Sequence, residues 1–133
     1  MSMEHSNAIA YRRTADAFRA RDSEALAQLI ADDVVWHVPG GTPLGGEIHG
    51  LEALFGCFER LHEVTKGTFT LREHDVLATD DHVVALSDMS SEIDGHRVSV
   101  KVVSVMHFRD GRQLERWFHP SDPAAWHALL GGA

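Results

Sequence analysis

Cysteine is nearly missing from this sequence: a single thiol, Cys57, among 133 residues excludes an internal disulfide. Basic charge is also scarce, with 12 Lys and Arg against 20 Asp and Glu and a formal net charge of -8. No basic run of the kind that neutralises phosphates occurs, so nucleic acid is not an expected partner. Long apolar runs are lacking too, and none approaches the roughly twenty residues that a bilayer-crossing helix needs. No basic segment followed by an apolar stretch and a cleavage site opens the chain. The expectation is a cytoplasmic protein with no membrane association.

What is present is the balance of an ordinary globular domain, 44% hydrophobic and 24% charged. A chain of this size buries about two thirds of the surface its unfolded form exposes, enough for a core without metal or disulfide. No repeat, low-complexity segment or internal boundary is visible, so 1–133 is expected to be one domain.

Apolar residues at helical spacing predict a helix over Ala8–Ala20, capped by Ser6 or Asn7. A second, short helix with a stripe of Ala25, Leu26, Leu29 and Ile30 is capped by Asp22 or Ser23 and ends near Asp32 and Asp33. Val34–Val38 has the β-branched and aromatic content of a strand, which Pro39 stops. A loop of glycine and proline then runs to Gly50, and a third helix follows from Leu51 to about Val64, ended by Lys66 and Gly67.

The second half changes character. Thr68–Ala78, His82–Ile93, Arg97–Arg109 and Gln113–Phe118 are strand-like, and Asp94-Gly95 and Asp110-Gly111 are hairpin turns because glycine accepts positive φ without steric cost. A four-stranded antiparallel meander results, closed by a terminal helix from Asp122 or Pro123 to Leu130. Helices first and sheet second make an α+β fold: three N-terminal helices cover one face of a strongly twisted, mainly antiparallel sheet, and a curved sheet covered in this way forms a cone. A cone of this kind encloses a cavity.

Period-two alternation assigns the faces. Val98, Val100, Val102, Ser104, Met106 and Phe108 form a nearly all-apolar side of the central strand, joined by Ala85, Ser87 and Met89. In the last strand Glu115, Trp117 and His119 alternate with Leu114, Arg116 and Phe118; the set with Trp117 is expected inward, beside Trp36 and Val38. A carboxylate and an imidazole among aromatic rings would be tuned toward neutrality, as acid-base catalysts are. The bland readings are that Glu115 is an exposed strand residue and that His119 bonds backbone at the turn before Pro120. His37, alternating with Trp36, is expected to face away.

The ten histidines are scattered and none forms the helical pair with glutamate that zinc sites use, so no metal is expected. The glycine loop lacks a following Lys-Ser or Lys-Thr, which argues against a nucleotide cradle. Cys57 reads as core filler.

The stretches ADDVVWHVPG from Ala31, IHG from Ile48, VVSVMHF from Val102, DGR from Asp110 and ERWFHPSD from Glu115, in this order of elements, resemble the SnoaL-like branch of the nuclear-transport-factor-2-like superfamily. The resemblance implies a cone-shaped α+β barrel with a deep apolar pocket, a small hydrophobic ligand, no cofactor and a homodimer formed through the outer sheet face. It spans ketosteroid isomerases, polyketide cyclases and limonene-epoxide hydrolases, so the fold does not choose the chemistry. The isomerase tyrosine, aspartate base and protonated aspartate fall on Thr14, Val38 and Ser104, which leaves no base. The epoxide hydrolases' two aspartates bridged by arginine find no match. The cyclases' acid-base residue near the last strand corresponds by region to His119 or Asp122.

The resulting expectation is cofactor-independent acid-base chemistry on a hydrophobic carbonyl compound, the alternative being a non-catalytic binding or sensing module. His119 would act as acid or base, Asp122 or Glu115 would orient it, and Ser104 and Thr14 would donate hydrogen bonds. Phe18, Trp36, Phe55, Phe58, Met89, Val102 and Trp117 would line the cavity.

Overall fold

A computed structural model describes residues 4–132. The chain runs α1 (Ser6–Ala20), α2 (Ser23–Leu29), β1 (Ile30–Val38), β2 (Gly46–His49), α3 (Leu51–Val64), β3 (Thr70–Ala78), β4 (His82–Ile93), β5 (His96–Arg109), β6 (Arg112–Pro120) and α4 (Pro123–Leu129). The six strands form one sheet in the order β2-β1-β6-β5-β4-β3. The sheet is open, with β2 and β3 at its edges, so the expected barrel is an unclosed cone.

The meander forms through the expected turns. Asp94 and Gly95 have φ of 53° and 81°, and Asp110 and Gly111 have 53° and 75°. Two successive positive φ values give the turn whose twist matches flanking strands. Outside the meander, β1 lies parallel to β6 and antiparallel to β2. The Trp36 indole nitrogen donates to Gln113 Oε1 at 2.6 Å, reinforcing the parallel seam.

Several element boundaries differ from the sequence expectation: α1 starts at Ser6 and is capped by His5, whose ring nitrogen accepts from the Asn7 amide, and β3 starts at Thr70. The second helix stops at Leu29, and Ile30 is extended at φ -122° and pairs with Gln113. Ile30 is fully buried, and the ladder outweighs one more helical residue. The supposed loop to Gly50 contains β2, which pairs Ile48 with Trp36. Its residues GEIH carry one apolar side chain, too few for a strand pattern.

The core divides in two. The larger cluster joins the inner face of β4, β5 and β6 to α1 and α4, through Tyr11, Met89, Val102, Met106, Phe118 and Trp126 among others. A satellite of Ala17, Leu26, Ile30, Val34 and Leu54 fastens α1, α2 and α3 to β1. Alternation along β5 is regular, with Val100, Val102, Ser104, Met106 and Phe108 all buried.

The terminal helix depends on its cap. Asp122 accepts hydrogen bonds from the amides of Ala124 and Ala125 at 3.0 and 3.2 Å, and Pro123 occupies the first turn, where its missing N–H costs nothing. Replacing Asp122 with Ala is expected to lower stability by about 1 kcal/mol. Urea denaturation with an unchanged slope checks this, and no loss would mean that tertiary packing of Trp126 and Leu129 alone holds the helix.

Candidate functional site

Between the helices and the inner sheet face lies a cavity of about 80 Å3. Helix α1 contributes Tyr11, Thr14, Ala15 and Phe18 to its wall, and β1 contributes Trp36 and Val38. From α3 come Cys57, Phe58 and Leu61, and Leu44, Trp126 and Leu130 also line it. Edge-to-face contacts at 5.1 to 5.5 Å connect Phe18 to Phe58, Phe58 to Trp36, and Trp36 to Phe118. Such rings stack with preferred geometry and keep the wall stiff. A wider depression of about 600 Å3 adjoins it, sharing Phe18, Phe58 and Phe69 and adding Arg19, Arg21 and His62 at its polar edge. Phe55 borders this outer space and not the inner cavity.

Among the described residues, the one charged side chain on the inner wall is Arg116, from the middle of β6. It is 4% exposed. One terminal nitrogen donates to Ser104 Oγ at 2.9 Å and, more weakly, to the Tyr11 hydroxyl at 3.4 Å. The guanidinium carbon lies 4.5 Å from the Phe118 ring centre, 5.0 Å from Trp36 and 5.5 Å from Tyr11. Nε has no hydrogen-bond partner, and Arg116 forms no ion pair with a carboxylate among the described residues. Aromatic faces attract a cation and suit the planar guanidinium.

Arg116 is inward because β6 carries a bulge. The β5–β6 register runs Phe108 to Gln113, then His107 to Glu115, leaving Leu114 unpaired. One extra residue shifts the alternation, so Gln113, Arg116 and Phe118 are buried together. The orientation expected for this strand is therefore reversed: Glu115, Trp117 and His119 lie on the outer face. There Glu115 bonds His37 Nε2 at 2.6 Å and approaches His107 Nδ1 at 3.4 Å, while Trp117 stacks on His37 with ring centres 5.0 Å apart. His119 is exposed. None of the three borders the cavity.

The other residues singled out in the sequence divide in the same way. Thr14, Phe18, Trp36, Val38, Phe58 and Met89 border the cavity. Thr14 spends its hydroxyl proton on the Ala10 carbonyl at 2.8 Å. Val102 and Ser104 are buried on the inner face, with Ser104 in the layer beneath Arg116. Asp122 caps α4 and does not orient an imidazole. Tyr11 and Arg116, absent from the sequence candidates, supply the polar groups that are present. Among the described residues, no group of three or more His, Cys, Asp or Glu is placed to hold a metal ion.

Cys57 is held inert. Burial in the apolar wall pushes its thiol up to about 11, against an ordinary 9.0, and Arg60 opposes the shift only in part. Since the thiolate is the reactive form, alkylation by iodoacetamide at pH 8 is expected to run on the order of a hundredfold slower than for free cysteine. Mass spectrometry of timed samples measures this; a free-cysteine rate would mean that the α3 wall opens readily.

The SnoaL-like domain model matches residues 11–116. Bal32a, from a soil-derived mobile gene cassette, is 32% identical, superposes with a TM-score of 0.88 and shares 94% of this chain and 96% of its own. A cystatin-like-fold protein of unknown function from Xanthomonas campestris is 24% identical over 98% of this chain and 100% of its own, with a TM-score of 0.87. IdmH from Streptomyces antibioticus, a candidate polyketide cyclase, is 24% identical over 96% of this chain and 99% of its own, with a TM-score of 0.76. None of the curated protein sequences matches. With the family model covering most of its length and both faces of its sheet accounted for, the chain belongs to the SnoaL-like domain family.

Proposed function

We propose that the protein binds a small hydrophobic molecule in the inner cavity, with the polar end of that molecule seated against Arg116. The observation that carries this reading is a guanidinium 4% exposed in an otherwise apolar wall. Apolar surface supplies affinity there, and few polar groups fix orientation. Acid-base chemistry on a carbonyl compound, of isomerase, cyclase or hydrolase type, is the activity we read for it, with the proton next to the carbonyl passing to a water molecule because the inner wall supplies donors and, among the described residues, no base. Arg116 and the Tyr11 hydroxyl would stabilise negative charge developing on the carbonyl oxygen, in a site dry enough for such donors to act strongly. The reading invokes no cofactor. A homodimer packed through the outer sheet face belongs to it, supported by Trp117, half-buried, and Val103, 38% exposed.

A second reading, a non-catalytic binding or sensing module, has its own support: among the described residues no carboxylate or imidazole borders the inner cavity to serve as base. Phenylacetone in D2O separates the two. The catalytic reading expects deuterium uptake next to the carbonyl faster than in buffer, lost in Arg116→Met and retained in His119→Ala. Saturable binding without accelerated exchange would establish the sensing reading, and no binding would remove both.

A further inference from the structure

We infer that the ligand of the inner cavity is a hydrophobic anion, an aryl or alkyl carboxylate whose two oxygens pair with the Arg116 guanidinium. The inference rests on the cavity being a ligand site and specifies what enters it.

Arg116 makes one good hydrogen bond, to the neutral Ser104 hydroxyl at 2.9 Å, and its other contacts are a long approach to Tyr11 and three ring faces. A guanidinium presents five donors in a rigid fork that matches a carboxylate. Here Nε is buried without a partner, and no protein carboxylate neutralises the charge among the described residues. A buried charge is retained at considerable cost unless it is paired. Arg116 borders the cavity with its nitrogens covered by the Tyr11, Trp36 and Phe118 rings, so an acid inside the cavity supplies the counter-charge once one of those rings turns aside.

The inner space of about 80 Å3 takes only part of an amphipathic acid, whose apolar body would extend past Phe18, Phe58 and Phe69 into the adjoining depression. Phe18, Trp36, Phe58 and Phe118 offer faces and edges to an aromatic or branched apolar body. Neutral carbonyl compounds satisfy fewer of the guanidinium donors and leave its charge unbalanced. The chain's formal net charge of -8 makes nonspecific capture of anions unfavourable, so selectivity for a carboxylate must originate locally. Ser104 and Tyr11 accept from the same terminal nitrogen of Arg116 and are positioning residues for it.

The test compares phenylacetate with phenylacetamide, equal in shape and differing in charge, by isothermal titration against the full chain at neutral pH. Phenylacetate is expected to bind about 10–100-fold more tightly, the range of a charge-assisted pair over a neutral one. Arg116→Gln should remove the preference while still binding the amide, and Arg116→Lys should restore part of it. Thermal melts establish that both variants fold. The preference should persist from 20 to about 300 mM NaCl, because a buried pair is weakly screened. Equal affinities, or an unchanged preference in Arg116→Gln, would overturn the inference while leaving the cavity as a ligand site. If phenylacetate, phenylacetamide and phenylacetone all fail to bind, the cavity reading itself falls and the inference falls with it.

Discussion

Leu54→Ala lowers the unfolding free energy by about 2–5 kcal/mol, the range for truncating a leucine in a close-packed core. Leu54 is fully buried at the centre of the satellite cluster, where α1, α2, β1 and α3 meet through Ala17, Leu26, Ile30 and Val34. Its own turn is anchored to the sheet: the Gly50 amide donates to the Val34 carbonyl at 2.7 Å, and the Leu54 amide to Gly50 at 3.0 Å. Gly50 has φ of 92°, so the chain leaves β2 and starts α3 without a side-chain penalty. Cys57, Phe58 and Leu61 follow within two turns and form the cavity wall. Loosening the anchor therefore damages the site as well as the stability. Urea denaturation gives the first effect, and faster alkylation of Cys57 reports the second through local opening of α3. A loss below about 1 kcal/mol would show that the helix is not held through this cluster.

Arg116→Met produces the opposite sign. Removing an unpaired buried charge in favour of an apolar chain of similar length relieves its desolvation, and the aromatic faces around it accept a thioether readily. The protein without ligand should gain about 1–2 kcal/mol after allowance for the hydrogen bonds lost by Ser104 and Tyr11. The same substitution should abolish preference for an acid over its amide. Gain of stability with loss of recognition marks a residue kept for function. Destabilisation by 3 kcal/mol or more, on the order seen when a buried hydrogen-bonded partner is broken, would instead make Arg116 a structural strut.

Much of the architecture was legible because local rules and packing agree. Apolar spacing located α1 and α3, the Asp122-Pro123 start marked α4, and the two Asp-Gly pairs set the hairpins of the meander. Regular alternation from Val98 to Phe108 gave the inner face of β5 directly. Failure came where an element is short or its period breaks. GEIH has too little apolar content to announce a strand, and Ile30 suits a helical stripe as well as a β-ladder.

Arg116 was hidden by one residue. In a bulge-free hairpin continuing from the Asp110-Gly111 turn, Ser104 would face Trp117 and Met106 would face Glu115. With Leu114 unpaired, Ser104 meets Phe118 and Met106 meets Arg116. A register slip of one residue exchanges the faces of a strand. The carboxylate and imidazole that looked catalytic consequently sit with His37 and His107 on the outside. Buried Gln113 beside a polar, aromatic-rich strand is the kind of signal that a bulge leaves, but its burial is apparent only from the fold. The inward placement of Trp36 and Val38 did follow from alternation, since β1 keeps its period from Val34 onward and turns His37 away.

The three tryptophans provide a direct measurement of the account. Trp36 and Trp126 border the inner cavity, whereas Trp117 lies on the outer face against His37. In 1H-15N spectra, with each indole assigned by a single Trp→Phe substitution, titration with phenylacetate should move Trp36 and Trp126 in proportion to occupancy and leave Trp117 in place. Movement of Trp117 with the other two unchanged would put the ligand on the outer face, among Glu115, His37 and His119, and would contradict a site built around Arg116.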